Sequence, residues 1–369
     1  MSAPSPVLPA YSAGSLSDIV GVLCGPGNLE RVPSWVPPCL RGAPRVVLLL
    51  LDGLGWNQLA NHRAHMPTLS GFEGGHITTV APSTTATALT SLATGLAPGE
   101  HGLIGYRIDM GDTVMNILRW GDETGDLRRR YPPSTIQSCP AFHGMRVPVL
   151  SKAELEGSGF TEAHLAGVKH KGWRSPSSIA VTIAEELARG ETLVYAYYDG
   201  IDKIAHERGF GAHYEAELRL ADRLVGDIVA RLPADTVLLV TADHGQVHVG
   251  DNTIIPDPSL MVHVDHQSGE GRFRWLHAKP GRQGALLDAA SQYEDVAWVV
   301  GREQVLDEQW FGPRTLDHVA RRMGDVALVA HAPVSFDEPL DGGAFELVCR
   351  HGSLTADEML VPLLAHRTG

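Results

Sequence analysis

The chain has 369 residues, enough for one large domain with insertions or for two domains. Its formal net charge of −13 argues against a protein whose main task is gripping nucleic-acid backbone, which needs a basic surface. A small phosphorylated substrate stays open, because bound cations can supply positive charge locally.

Residues 1–10 carry neither a basic n-region nor an uninterrupted apolar h-region, and no later segment reaches about 18 apolar residues. The chain is therefore expected to be cytoplasmic, with no membrane partner. Cys24, Cys39, Cys139 and Cys349 are scattered without a CxxC pair, which argues against thiolate zinc and redox motifs. Residues 1–44, rich in Pro, Gly and Ser, read as an N-terminal surface segment, and 45–369 as the catalytic domain.

The first strand is expected at 46–51, an apolar run that leads straight into Asp52-Gly53. A helix follows at 84–94. From about 110 to 175 the periodicity is lost and Arg, Pro, Gly and His accumulate, as in an inserted cap. Regular pattern resumes with a helix at 176–189, a strand at 192–198, a helix at 212–232 and a strand at 236–241 that ends in Asp243-His244. A second insertion is expected at about 254–326, with strand-like pieces at 273–276 and 296–300 and a helix at 313–323. The core pattern returns at 344–349 and stops at His351-Gly352.

The strand runs are apolar without alternation, which suits strands covered on both faces. The expected fold class is a layered α/β fold with a central, mostly parallel sheet and helices on both faces.

Asp52, Asp202, His206, Asp243, His244 and His351 each lie close behind an expected strand. In open α/β sheets ligands bind outside the carboxyl ends of the strands, so residues far apart in sequence can converge there. Asp202 and His206 stand four apart and share a face if their stretch is helical; Asp199, a rival, lacks that spacing. Oxygen and imidazole ligands without thiolates suit two divalent ions, zinc foremost, with manganese as an alternative. Two ions about 3.5–4 Å apart can clamp the attacking and leaving oxygens of a phosphoryl displacement. The run 82–95, rich in Ser and Thr, offers a nucleophile at a helix start, where a phosphoryl group is favoured.

From Val46 onward the ordered set Asp-Gly, Pro-Ser-x-Thr…Thr-Gly, Asp-x3-His, Asp-His-Gly and His-Gly resembles the alkaline phosphatase superfamily, in its type I phosphodiesterase/nucleotide pyrophosphatase branch. The resemblance implies an alkaline-phosphatase-like fold and places the nucleophile on Thr85. It assigns Asp52, Asp243 and His244 to the ion that activates Thr85, itself a ligand of that ion. Asp202, His206 and His351 go to the ion facing the leaving group or the hydrolytic water.

The implied reaction is hydrolysis of a phosphodiester or pyrophosphate bond in a small, nucleotide-like substrate, through a covalent threonyl-phosphoryl intermediate. A phosphomonoesterase, a phosphonoacetate-type hydrolase and a phosphoglycerate mutase-like enzyme are alternatives on the same scaffold. A binding protein without catalysis is disfavoured by the retained ligands and hydroxyl. Members of this branch carry Asn three residues after the nucleophile, where this chain has Ala88. Lys169, Lys171 and Arg174 in the cap read as a solvated charge run that could alternatively meet a phosphate. Trp120, Tyr131, Phe142 and Trp173 read as cap packing, or as platforms for a base.

Overall fold

Three uninterrupted apolar runs, Arg45–Leu51, Leu193–Tyr198 and Thr236–Thr241, form the middle of the molecule as parallel neighbours. Every residue of the last two is buried, so both faces of the sheet are covered, as continuous apolar strands require. The computed structural model describes residues 4–25, 29–338 and 346–369.

The full sheet has seven strands in the order Glu73–Thr78, Leu360–Arg367, Thr236–Thr241, Arg45–Leu51, Leu193–Tyr198, Pro148–Lys152, Lys169–Trp173. The last five are mutually parallel, and the first two add antiparallel at one edge. A second sheet of eight strands is built from two separate stretches. Residues 107–126 give four short strands, and Val264–Glu270, Phe273–Ala278, Ala297–Gly301 and Val326–Ala330 give the others, paired antiparallel.

The stretch from about 110 to 175 is thus divided between the two sheets: its start extends the second, and Pro148–Lys152 and Lys169–Trp173 close the edge of the first. The stretch from 254 to 326 supplies the hairpin and outer strands of the second sheet. The N-terminal segment does more than wrap the surface. Its helix Asp18–Cys24 buries Ile19, Val20 and Leu23, and Ser15 bridges Thr78.

The helices expected at 84–94, 176–189 and 212–232 are present as Thr85–Thr94, Ser177–Ala188 and Ala212–Val229. The one expected at 313–323 shrinks to the single turn Asp317–Ala320. Val319 and Met323 are nevertheless buried, so apolar spacing there reports packing of turns rather than a helix. Of the expected run 344–349, residues 344 and 345 lie outside the described residues, and strand structure begins only at Cys349–Arg350, paired with Val247–His248. Among the described residues no helix is long and apolar enough to cross a membrane.

A buried ion pair ties the second sheet to the loop that carries His351. Arg272 and Glu358 are both fully buried and meet through two bonds, Nε to Oε1 at 2.7 Å and Nη2 to Oε2 at 2.8 Å. Glu358 also accepts from the Ser353 amide and the Thr355 hydroxyl, so its charge is completely partnered. Glu358→Ala strands the Arg272 guanidinium without a counter-charge, and is expected to cost about 3–5 kcal/mol in a denaturant titration.

Candidate metal centre

The parallel register sets the site. Leu50 pairs with Thr241 and Leu51 with Tyr198, so the three central strands end at one level. Asp52 follows the first, Asp243 and His244 the second, and the helix Gly200–Arg208 with Asp202 and His206 follows the third. Gly53 makes the turn after Asp52. Its φ is +75°, and a Cβ there would meet Gln246 Nε2 at 2.5 Å and the Asp202 backbone at 3.0 Å, so only glycine lets these loops close. His351 arrives from the other end of the chain, held because Ser83 and Gly352 form a backbone bridge beside Thr85.

All six expected ligands converge. His244 Nε2 lies 3.5 Å from Asp52 Oδ1 and 3.4 Å from Asp243 Oδ2. His206 Nε2 lies 3.2 Å and His351 Nε2 3.9 Å from Asp202 Oδ1, as helical spacing of Asp202 and His206 predicts. The rings of His244 and His351 stack at 3.5 Å. The potential ligand atoms of Asp52, Asp243, His244 and those of Asp202, His244, His351 lie within 4.8 Å of one another in each triad, so His244 stands between two groups, with His206 beside the second.

Each imidazole offers the same nitrogen inward. His206 Nδ1 faces the Cys349 carbonyl at 2.6 Å, His351 Nδ1 that of Ser83 at 2.9 Å, and His244 Nδ1 that of Gly245 at 3.0 Å. A backbone carbonyl on Nδ1 fixes the tautomer that leaves Nε2 with a lone pair, the usual outer support of a histidine ligand.

The carboxylates are held on one oxygen and left open on the other. Asp52 Oδ2 accepts from the Tyr197 hydroxyl, and Asp243 Oδ1 from the amides of Gly53 and His244 at 3.1 Å. Asp52 Oδ1 and Asp243 Oδ2 are buried and make no hydrogen bond. Burial, and then the charge of Asp243, push the Asp52 carboxyl well above the usual range; burial likewise raises Asp243. For Asp202 burial also acts upward, but His206 and His351 outweigh it and hold its carboxyl low. Buried acids with orphaned oxygens are costly unless a cation compensates them, so this donor set fits divalent metal ions.

Thr85 is the first residue of the helix Thr85–Thr94, and its Oγ1 lies 3.1 Å from His244 Nε2. The first amides of a helix lack intrahelical partners and point outward, which suits a phosphoryl oxygen. Ala88 is fully buried three residues after Thr85, a same-face spacing in a helix, and its methyl group offers a phosphoryl oxygen no hydrogen bond.

A model of the type I phosphodiesterase/nucleotide pyrophosphatase family matches residues 46–353, which contain all six convergent side chains and Thr85. The chain belongs to that family. It is thereby a phosphoric ester hydrolase of the alkaline phosphatase superfamily. No curated protein is similar enough in sequence to match.

Solved structures agree with the family fold. Murine ectonucleotide pyrophosphatase/phosphodiesterase 5 superposes with a TM-score of 0.66 at 16% identity, over 87% of this chain and 88% of that one. The human protein gives 0.66 at 18% identity over 87% of each chain. Phosphonoacetate hydrolase from Sinorhizobium meliloti 1021, in complex with phosphonoformate, gives 0.62 at 17% identity over 89% of this chain and 91% of that one.

In this phosphodiesterase-family chain a cavity of about 230 Å³ opens on Asp52, Thr85 and Asp202. Its far wall comes from the 110–175 stretch, with Leu118, Leu155, Phe160 and Leu165. Trp120, Phe142 and Trp173 are buried away from this cavity as packing, and Lys169 and Lys171 are paired with Glu191 and Glu186. Asp199 lines the same cavity but belongs to neither ligand group. It accepts from Lys152 at 2.9 Å and Lys203 at 2.7 Å.

Sequence reasoning missed Tyr197, which holds Asp52, and Gln246, whose Nε2 donates to Asp202 Oδ1 at 2.8 Å. Both sit beside a recognised motif, and adjacency was the only available signal. Tyr197→Phe removes one outer support of Asp52 and is expected to weaken metal affinity about 10–100-fold without unfolding the chain, read by competition with a chromophoric chelator.

Proposed function

We propose that this enzyme hydrolyses phosphodiester or pyrophosphate bonds of a small, nucleotide-like substrate through a covalent intermediate on Thr85. The observation that carries the reading is the Thr85 hydroxyl at a helix N-terminus, 3.1 Å from His244 and at the mouth of an apolar cavity. Asp52, Asp243 and His244 would hold one divalent ion and Asp202, His206 and His351 another, zinc or manganese by their donor types. Such ions, when bound, lower the pKa of a nearby hydroxyl and neutralise charge developing on phosphoryl oxygens.

The chain's own residues then account for the rest. Thr85 Oγ1, having lost its proton, forms the new bond to phosphorus as the bond to the leaving oxygen breaks. The free amides at the start of the helix hold a non-bridging oxygen. Water on the opposite side breaks the threonyl ester and restores the hydroxyl. The apolar wall around Phe160 excludes bulk water and takes up the organic part of the substrate. The solved complex of a threonine-to-alanine variant of the murine relative, described as inactive and bound to AMP, supports both the nucleophile and the substrate class. A cytoplasmic location is part of the proposal, since all four cysteines are free thiols, which suits a reducing compartment.

A substrate panel tests it. Thymidine monophosphate p-nitrophenyl ester and bis-p-nitrophenyl phosphate are expected to turn over faster than p-nitrophenyl phosphate, and the reverse ranking would overturn diester preference. One observation favours a second reading. Lys203 lines the cavity beside Asp199 and could meet the carboxylate of a short phosphonate, so phosphonoacetate belongs in the panel, with phosphate release as its positive result.

A further inference from the structure

A second set of ligand-type side chains lies on the second sheet and contains none of the residues discussed above. His266 and His277 face each other directly across the hairpin of Val264–Glu270 and Phe273–Ala278, next to a register shift between Val264 and His266. Their rings stack at 4.0 Å with an interplanar angle of 16°. Asp109 closes the group from the end of the neighbouring strand Arg107–Asp109, which pairs with the hairpin at Gly269.

One oxygen is the common focus. Asp109 Oδ2 lies 3.4 Å from His266 Nε2 and 3.5 Å from His277 Nδ1. One potential ligand atom from each of the three residues lies within 4.8 Å of the others. The opposite side of each group is held by another partner. His266 Nδ1 meets Asp265 Oδ2 at 2.9 Å, His277 Nε2 meets Ser268 Oγ at 2.8 Å, and Asp109 Oδ1 accepts from the Gly111 amide at 2.7 Å. His266 Nε2, the atom aimed into the group, is buried and makes no hydrogen bond.

Inward nitrogens 3.4 and 3.5 Å from one carboxylate oxygen are long for hydrogen bonds, and an ion held by both would turn one ring out of the stack, because an imidazole lone pair lies in its ring plane. The sole contact of His266 Nε2 across the group is the 3.4 Å ion pair with Asp109 Oδ2. Outer partners on a carboxylate and two imidazoles are the support that metal ligands receive.

We propose that Asp109, His266 and His277 form a further binding site for a divalent transition cation of the zinc class. Two nitrogens and one oxygen exclude a preference for magnesium or calcium, which take oxygen ligands. With three protein ligands the coordination is completed by solvent, and the half-exposed His266 gives it access. The role is architectural. The ion pins the strand Arg107–Asp109 to the hairpin, and that strand begins the short run that carries Leu118 to the cavity wall. The site does not depend on the reaction proposed for Thr85.

Crystals of the full chain grown with zinc, measured on both sides of the zinc absorption edge, test this on the unaltered protein. An anomalous peak between Asp109, His266 and His277 is expected; a map with no peak there, in crystals whose main centre is filled, overturns the site. Zinc titration provides an independent reading. The His266→Ala/His277→Ala double variant is expected to bind one equivalent fewer than the wild-type chain, whereas Asp243→Asn retains that equivalent. Equal stoichiometry in the wild-type chain and the double variant would also overturn it.

Discussion

Thr85→Ala is expected to reduce turnover on the order of 10⁴- to 10⁶-fold, the scale on which loss of a catalytic nucleophile acts, while the metal content and melting temperature stay near those of the parent chain. The reason lies in where Thr85 sits. It is half-buried at the first position of its helix, and its Oγ1 contacts only His244 Nε2 among the hydrogen bonds of the site. Removing one methyl and one hydroxyl there leaves Asp52, Asp243 and His244 with all their other partners. Steady-state rates on the thymidine ester, with metal analysis of the same preparation, separate the outcomes. A rate within tenfold of the parent would remove Thr85 from the mechanism, and loss of metal would mean that it acts first as a ligand.

Metal removal is the second large effect expected. Asp52 Oδ1 and Asp243 Oδ2 are buried without hydrogen bonds, and both carboxyls are pushed upward by burial, so the empty centre is electrostatically unfavourable. Chelation should abolish activity and lower the melting temperature, because a ligand held at a hundred times its Kd contributes about 2.7 kcal/mol to stability. Adding zinc or manganese back should restore both. Asp243→Asn keeps the shape but removes charge and a ligand oxygen, and should cost more metal affinity than the about 10–100-fold typical of an outer-shell partner. Full activity after exhaustive chelation would contradict the role given to these side chains.

Much of this centre was legible in the chain because the strands that carry it are buried on both faces. Arg45–Leu51 and Thr236–Thr241 are nearly pure apolar runs, so Asp52 and Asp243 stand out at their ends. The four-residue spacing of Asp202 and His206 likewise survives as a helix, Gly200–Arg208. The edge strands were hidden for the opposite reason. Lys169–Trp173 reads Lys-His-Lys-Gly-Trp and Glu73–Thr78 reads Glu-Gly-Gly-His-Ile-Thr, with mostly partly exposed side chains and no apolar period. Leu360–Arg367 is apolar, but Pro362 interrupts it, and proline normally argues against a strand paired on both sides. Tyr197 and Gln246 act by orienting other residues, a role that leaves no spacing rule to read. The trio Asp109, His266 and His277 was equally silent, because strand pairing and not sequence proximity brings it together.

The stereochemical course at phosphorus tests the central claim most directly. Each in-line displacement inverts phosphorus, so transfer to Thr85 followed by transfer to water restores the starting configuration. Hydrolysis of a P-chiral phosphorothioate diester in isotopically labelled water should therefore proceed with net retention. Net inversion would mean that water attacks the substrate directly, and would contradict a covalent intermediate on Thr85.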